Sequence, residues 1–352
     1  MLKNNKNLLY IILFWFFYVI FLLLIIFLAG EILTRVFNLA PKVSKNFNIY
    51  VPDKYLPYSI SPYSSVNLEL WTGESSHLCK HNSVGLRDRE HAYNKPNNVF
   101  RILCLGDSNT YGWGVAFEES YPYLLEKKFD NRSFSSPKIE VIKAGIPAFF
   151  PELERIFLEH YGIKYQPNLV LVAFSPGDVF DTYFGSNNLR ADPKGFLVMH
   201  NSSKFMKFFQ LLYKQSDLFR LVARKFELLF YQVFYHWDDI YKNNGFYESS
   251  WQTVEQEFLN ISNISKRIGA SLVIIYTPLP SNSIKKEFQS YPAGRLENWC
   301  RLNGIFFIDL SLILEKNNMD SFYWKEGHFN TEGHKIIAET IFLNLTKQRL
   351  VP

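Results

Sequence analysis

The stretch FRILCLGDSNTYG, residues 100–112, joins an apolar run with no polar–apolar alternation to a glycine-flanked turn around Ser108. Continuous Ile, Leu and Cys suit a strand buried on both faces, as in a parallel sheet covered by helices, rather than a strand with one wet face. Four further runs of the same kind follow at residues 139–143, 169–174, 271–276 and 306–309. Helix-like stretches lie between or after them at 121–129, 152–162, 253–268, 294–302 and 335–345. Strand and helix in alternation predict an α/β domain with a central parallel sheet.

In such sheets ligands bind beyond the carboxyl ends of the strands, so the turns leaving the apolar runs are where chemistry is expected. The first run ends in Gly106-Asp107-Ser108-Asn109-Thr110-Tyr111-Gly112, which reads as a strand-to-helix turn exposing the Ser108 hydroxyl beside free helix-start amides. An N-cap serine is the simpler reading of that tripeptide alone. Near the other end, Glu326-Gly327-His328-Phe329-Asn330-Thr331-Glu332-Gly333-His334 precedes the last helix. A serine becomes a useful nucleophile when an imidazole takes its proton and a carboxylate orients that imidazole. His328 and Glu326 are the candidates. His334 reads as a packing or capping residue, Asn330 and Thr331 as caps, and Asp107 as a carboxylate that steadies the Ser108 turn.

Upstream, residues 8–29 (LLYIILFWFFYVIFLLLIIFLA) carry no charge, and about 20 apolar residues are what a helix needs to cross a bilayer. The segment predicts one N-terminal transmembrane helix, with a membrane anchor over 1–35. A signal peptide is the competing reading, but its apolar core is shorter and is followed by a small-residue cleavage site. Lys3 and Lys6 before the span, and Glu31, Arg35, Lys42 and Lys45 after it, leave the charge bias nearly flat. Residues 36–98, with five prolines and little periodicity, read as a linker and irregular lead-in, and 99–352 as the main domain. Within it, an aromatic-rich helical insertion at about 187–250 suits either a cap on the core or an amphipathic element touching lipid or substrate.

The 352 residues carry 38 Lys and Arg against 33 Asp and Glu, scattered without a basic run, so no nucleic-acid partner is expected. Cys79, Cys104 and Cys300 lack metal-ligand spacing. No metal and no cofactor are expected, and Cys79 and Cys300 are open to pairing only in an oxidising compartment.

The motifs together resemble the SGNH (GDSL-like) hydrolase superfamily over about residues 81–345. GDSNTYG with Ser108 stands for the first block, Gly145 in VIKAGIPA for the second, and EGHFNTEGH with His328 for the fifth. HNSVGLRDRE, residues 81–90, and GEILTRVF, residues 30–37, resemble the lead-in of membrane-anchored members. The resemblance implies a flavodoxin-like three-layer α/β/α sandwich with strand order 2-1-3-4-5. It implies an oxyanion hole from the Ser108 and Gly145 amides and a third-block asparagine side chain. Here the sequence departs: FSPGD, residues 174–178, puts Gly177 at the asparagine position, with Asp178 supporting, and removes one donor. Asn187 or Asn188 is the nearest substitute. The family acid often lies three residues before the histidine, at Lys325 here, whereas Glu326 fits the two-residue spacing.

The resemblance implies a serine-dependent ester hydrolase or O-acyl (acetyl) transferase, on an acylated envelope glycan or otherwise a lipid, with its catalytic domain outside the cytoplasm. The alternative is a weak or inactive SGNH-fold module that binds an envelope polymer or protein.

Overall fold

The computed structural model describes residues 2–40, 47–70, 72–131, 137–199, 204–223, 225, 244–281 and 286–352. The chain divides into two compact units, Met1–Val43 with Ser202–Phe234, and Ser44–Asn201 with Tyr235–Pro352.

The larger unit is built on β5 (Val99–Gly106), β6 (Lys138–Gly145), β7 (Leu169–Phe174), β10 (Ser271–Tyr276) and β11 (Phe306–Asp309). All pair in parallel, in the spatial order β11-β10-β7-β5-β6, which is the expected 2-1-3-4-5 arrangement. Successive side chains on a strand face opposite ways, so each strand divides its residues between two cores. Leu103 and Leu105 of β5 join Val170, Val172, Ile274 and Tyr276 on one face, whereas Ile102 and Cys104 join Leu169, Leu171, Val273 and Ile275 on the other. The first face is covered by α4 (Pro151–His160), α7 (Asn244–Arg267) and α8 (Lys286–Asn303), the second by α3 (Tyr121–Asp130), α9 (Ser311–Lys316) and α10 (Thr331–Lys347). Burial on both faces is why none of these five strands shows strict alternation in its sequence.

Helix α7 starts nine residues before the expected boundary at 253, through a Gly- and Ser-containing stretch of weak helix propensity. Tertiary contacts hold it: Trp251 is fully buried with its ring 5.6 Å from Phe174, and Arg295 of α8 bonds Glu248 at 2.6 and 2.9 Å and Glu255 at 2.8 Å.

The lead-in expected as a linker belongs to this unit's core. It forms two antiparallel pairs, β1 (Tyr50–Val51) with β2 (Ser59–Ile60) and β3 (Ser65–Glu69) with β4 (Ser76–Lys80). Tyr58, Ile60, Val66, Leu68 and Leu70 are buried in the cluster that holds Leu103 and Val170. Prolines and serines break the pattern into pieces too short to stand out, yet Val66, Leu68 and Leu70 alternate with polar neighbours as a half-buried strand does. The three cysteines are buried and free.

Of the insertion, residues 189–199 form an antiparallel pair, β8 (Leu189–Ala191) and β9 (Leu197–Met199), in the larger unit. Residues 200–203, 224 and 226–243 lie outside the described residues, and with them most of the aromatic run beyond Lys225. The smaller unit contains α1 (Leu2–Val36), α6 (Lys204–Gln215) and a helical stretch at 217–223. Residues 10–28 of α1 are exposed, and α1 is the one helix among the described residues long and apolar enough to cross a membrane.

Candidate active site

β5 ends at Gly106, and two residues later Ser108 opens a single helical turn, α2 (Ser108–Tyr111). Asp107 caps it, its carboxylate accepting from the Asn109 amide at 2.8 Å. Such a reversal needs close packing. A Cβ on Gly106 would meet Thr110 Oγ1 at 2.1 Å. Gly112 closes the turn at φ 82, a conformation that glycine takes without the steric cost other residues meet.

His328 and Glu326 lie in the loop before α10. The Trp324 amide donates to His328 O at 2.8 Å, the Gly327 amide donates to Trp324 O at 2.9 Å, and Gly327 takes φ 99. This tight turn sets Glu326 and His328 side by side. The Ser108 hydroxyl donates to His328 Nε2 at 2.9 Å, and His328 Nδ1–H donates to Glu326 Oε1 at 2.8 Å. The Glu326 side chain is 3% exposed and that of His328 27%, so the acid is dry while the imidazole edge stays reachable. Trp113 stacks on the imidazole with centroids 5.7 Å apart, and Asn109 Oδ1 accepts the Phe329 amide at 3.3 Å, tying the loop to the Ser108 turn. Lys325 is 80% exposed and faces Glu74 at 3.6 Å, so the three-residue spacing offers no acid and Glu326 occupies that role's place.

Gly145 meets the sequence expectation only in part. It is paired opposite Gly106, and a Cβ there would lie 2.3 Å from the Tyr111 nitrogen, so the glycine lets β6 approach α2. The Ile146 amide bonds back to Gly106 O at 3.1 Å. Amides alternate in direction along a strand, so the Gly145 N–H points away from β5. The residue that sequence reading missed here is Ala148. It sits at φ 62 in the turn closed by the Phe149 amide on Ile146 O at 3.1 Å, and the Tyr58 hydroxyl is 2.9 Å from its carbonyl. A non-glycine residue held left-handed costs about 1–2 kcal/mol, and strain of this kind gathers at functional turns.

At the third block Asp178 accepts the Ser175 amide at 2.8 Å and Gly177 starts α5 (Gly177–Phe184). Among the described residues the only neighbour a Cβ at Gly177 would meet is Ser175 Oγ, at an ordinary 3.4 Å. Asn187 is exposed in a short 3-10 turn, Ser186–Asn188.

Behind the turn lie further carboxyl groups. Burial pushes Asp107, Glu154 and Asp178 up from the usual carboxylate range, and the charge of Asp107 pushes Glu154 and Asp178 further. Both Glu154 oxygens are buried without a hydrogen-bond partner among the described residues, which fits a neutral acid. His334 is fully buried, its Nδ1 accepting the Tyr121 amide at 3.2 Å, as a packing and capping residue would. Asn330 caps α10 by accepting the Gly333 amide at 3.0 Å. Among the described residues no group of three or more His, Cys, Asp or Glu is placed to hold a metal ion.

A second clamp was also missed, although its sequence was noticed. Arg87 is 1% exposed and donates to Gly112 O at 2.5 Å and Val115 O at 2.8 Å. His81 Nε2 pairs with the Tyr111 hydroxyl at 2.9 Å. The 81–90 phrase therefore grips the segment that follows Ser108.

No family model and no curated protein sequence matches the chain. Among solved structures it is similar to the acetyl xylan esterase AlAXEase, at 14% identity over 70% of this chain and 100% of that one, with a TM-score of 0.44. It is similar to a member of the lipolytic protein G-D-S-L family from Veillonella parvula, at 10% identity over 70% and 99%, TM-score 0.43. The lipase/acylhydrolase from Enterococcus faecalis gives 13% identity over 71% and 96%, TM-score 0.41.

Proposed function

We propose that this chain is a membrane-anchored serine ester hydrolase of the SGNH type. The observation that carries the reading is the chain of hydrogen bonds Ser108 Oγ, His328 Nε2, His328 Nδ1, Glu326 Oε1, at 2.9 and 2.8 Å. Ser108 Oγ attacks the ester carbonyl carbon as its proton passes to His328 Nε2, and buried Glu326 stabilises the imidazolium through Nδ1–H. The tetrahedral oxyanion accepts from the Ser108 amide and from an amide of the strained turn around Ala148. His328 then returns its proton to the leaving alcohol; water or a sugar hydroxyl next attacks the acyl carbon as His328 takes its proton, and the bond to Ser108 Oγ breaks as His328 gives that proton back to Oγ. Hydrolysis and transfer use the same groups, and an O-acylated envelope glycan outside the cytoplasm is the proposed substrate, with the span at 8–29 holding the enzyme at the membrane.

Full-length protein in detergent is expected to turn over p-nitrophenyl acetate and to form a fluorophosphonate adduct on Ser108. Ser108→Ala should abolish the adduct and lower turnover by about 10³-fold or more. One observation favours a second reading, a weakly active or inactive polymer-binding module: the third-block position is Gly177, with no side-chain donor. That reading gains if the folded parent forms no adduct and shows no turnover.

A further inference from the structure

The smaller unit contains a built joint between α1 and the segment that follows α6. Glu31, just past the apolar run of α1, accepts the Ser216 hydroxyl at 2.7 Å and the Asp217 and Leu218 amides at 3.0 Å each. It thus supplies a cap to the helical stretch 217–223 from 185 residues away in sequence. Arg35, bonded to Glu31 at 2.7 Å, donates to Gln215 O at 2.9 Å and so closes the carboxyl end of α6. Gly30 makes room for the joint, since a Cβ there would lie 2.8 Å from Leu218 Cδ2. Thr34, Ser216 and Arg220 are buried at the same place.

Glu31 lies two residues beyond Ala29, about 3 Å along the helix axis, so the joint holds α6 at the level where the apolar run ends. α6 exposes large apolar side chains, Phe208 at 54% and Leu211 at 55%, one turn apart, and Ile32, Leu33 and Val36 of α1, past the apolar run, are exposed as well. Residues 204–216 carry Lys204, Lys207 and Lys214 and no acidic residue. Exposed apolar side chains continuous with a span, together with basic charge, fit an anionic lipid surface.

We infer that α6 is an interfacial helix, latched to the foot of the anchor by Glu31 and Arg35 and seated with Phe208 and Leu211 in the headgroup region of the bilayer. This inference rests on the reading of residues 8–29 as a span. The full chain in nanodiscs of phosphatidylcholine and phosphatidylglycerol tests it, with an environment-sensitive fluorophore placed singly on Leu211→Cys or Phe21→Cys. The unsubstituted chain, whose three cysteines are buried, gives the background, and the free fluorophore gives the water-facing level. The Leu211 label should be quenched at least about twofold by a lipid with its doxyl group near the headgroup. Adding Glu31→Ala should return it to the water-facing level, while the Phe21 label, deep in the span, stays quenched by a second lipid with its doxyl group far down the acyl chain. A quenched Phe21 label beside a Leu211 label at the water-facing level overturns the inference and leaves the anchor standing. Neither label quenched overturns the anchor, and the inference with it. A Leu211→Cys chain that crosslinks to itself in the nanodisc overturns it in favour of a second copy on this face.

Discussion

At the scale of single residues, the proposed chemistry depends on Glu326 being the acid and on position 177 lacking a donor. Glu326 bonds His328 from a dry position, whereas Lys325 points into solvent. Glu326→Gln keeps size and removes the charge that holds the tautomer. It is expected to lower kcat on p-nitrophenyl acetate by about 10⁴-fold with little change in melting temperature. A drop under tenfold would mean that another group orients the imidazole. Gly177→Asn tests the opposite direction. Removing one oxyanion donor typically costs about 10²–10³ in turnover, and the space at Gly177 accepts a side chain without backbone conflict. A rise in kcat of up to about 100-fold is expected; an unchanged kcat would mean that the oxyanion lies elsewhere. The juxtaposition of Ser108, His328 and Glu326 was legible because a hydroxyl, an imidazole and a carboxylate each leave a distinct residue type in a turn. Ala148 was not legible, because left-handed backbone at an alanine leaves no mark in sequence.

At the scale of elements, the nucleophile turn is held from two sides. β6 presses on α2 through Gly145, so Gly145→Ala drives a methyl to within 2.3 Å of the Tyr111 backbone, which must move and take Ser108 with it. Esterase activity should fall by at least about 100-fold, with a stability loss of about 1–3 kcal/mol by denaturant titration. Activity at the parent level would mean that the turn yields without shifting Ser108. From the other side Arg87 donates to the Gly112 and Val115 carbonyls that end the turn, and Arg87→Met should remove that buried donor from both. That costs about 3 kcal/mol or more, read from the denaturation midpoint. These contacts explain why residues 44–98 were misjudged as a linker. Their strands have two to five residues, and their packing partners lie in sequence-distant parts of the sheet. The sheet strands were legible to within two residues because burial on both faces writes itself as a mostly apolar run without strict alternation.

At the scale of the whole molecule, burying polar groups beside those apolar layers ties stability to pH. His81 and His334 are enclosed around the nucleophile turn, and burial, aided by Arg87 and Lys143, lowers them to about 4 and about 3. The unfolded chain binds a proton at each below its ordinary value of 6.5, whereas the folded chain does not until far lower. Stability is therefore lost as pH falls from about 6.5 towards the folded values, each site contributing up to about 1.4 kcal/mol per pH unit. Other groups titrate in the same window. His91, raised by Asp88 and Glu140 despite its burial, acts in the opposite sense, as do the buried carboxyls. The difference between parent and variant isolates the two histidines. His81→Gln with His334→Gln keeps hydrogen-bonding capacity and removes both titrations. The variant should be less stable than the parent at pH 7, yet lose less stability between pH 6.5 and pH 4.5, so that the two denaturation midpoints converge on acidification. Parallel midpoints across that range would mean that neither imidazole is held neutral by the fold.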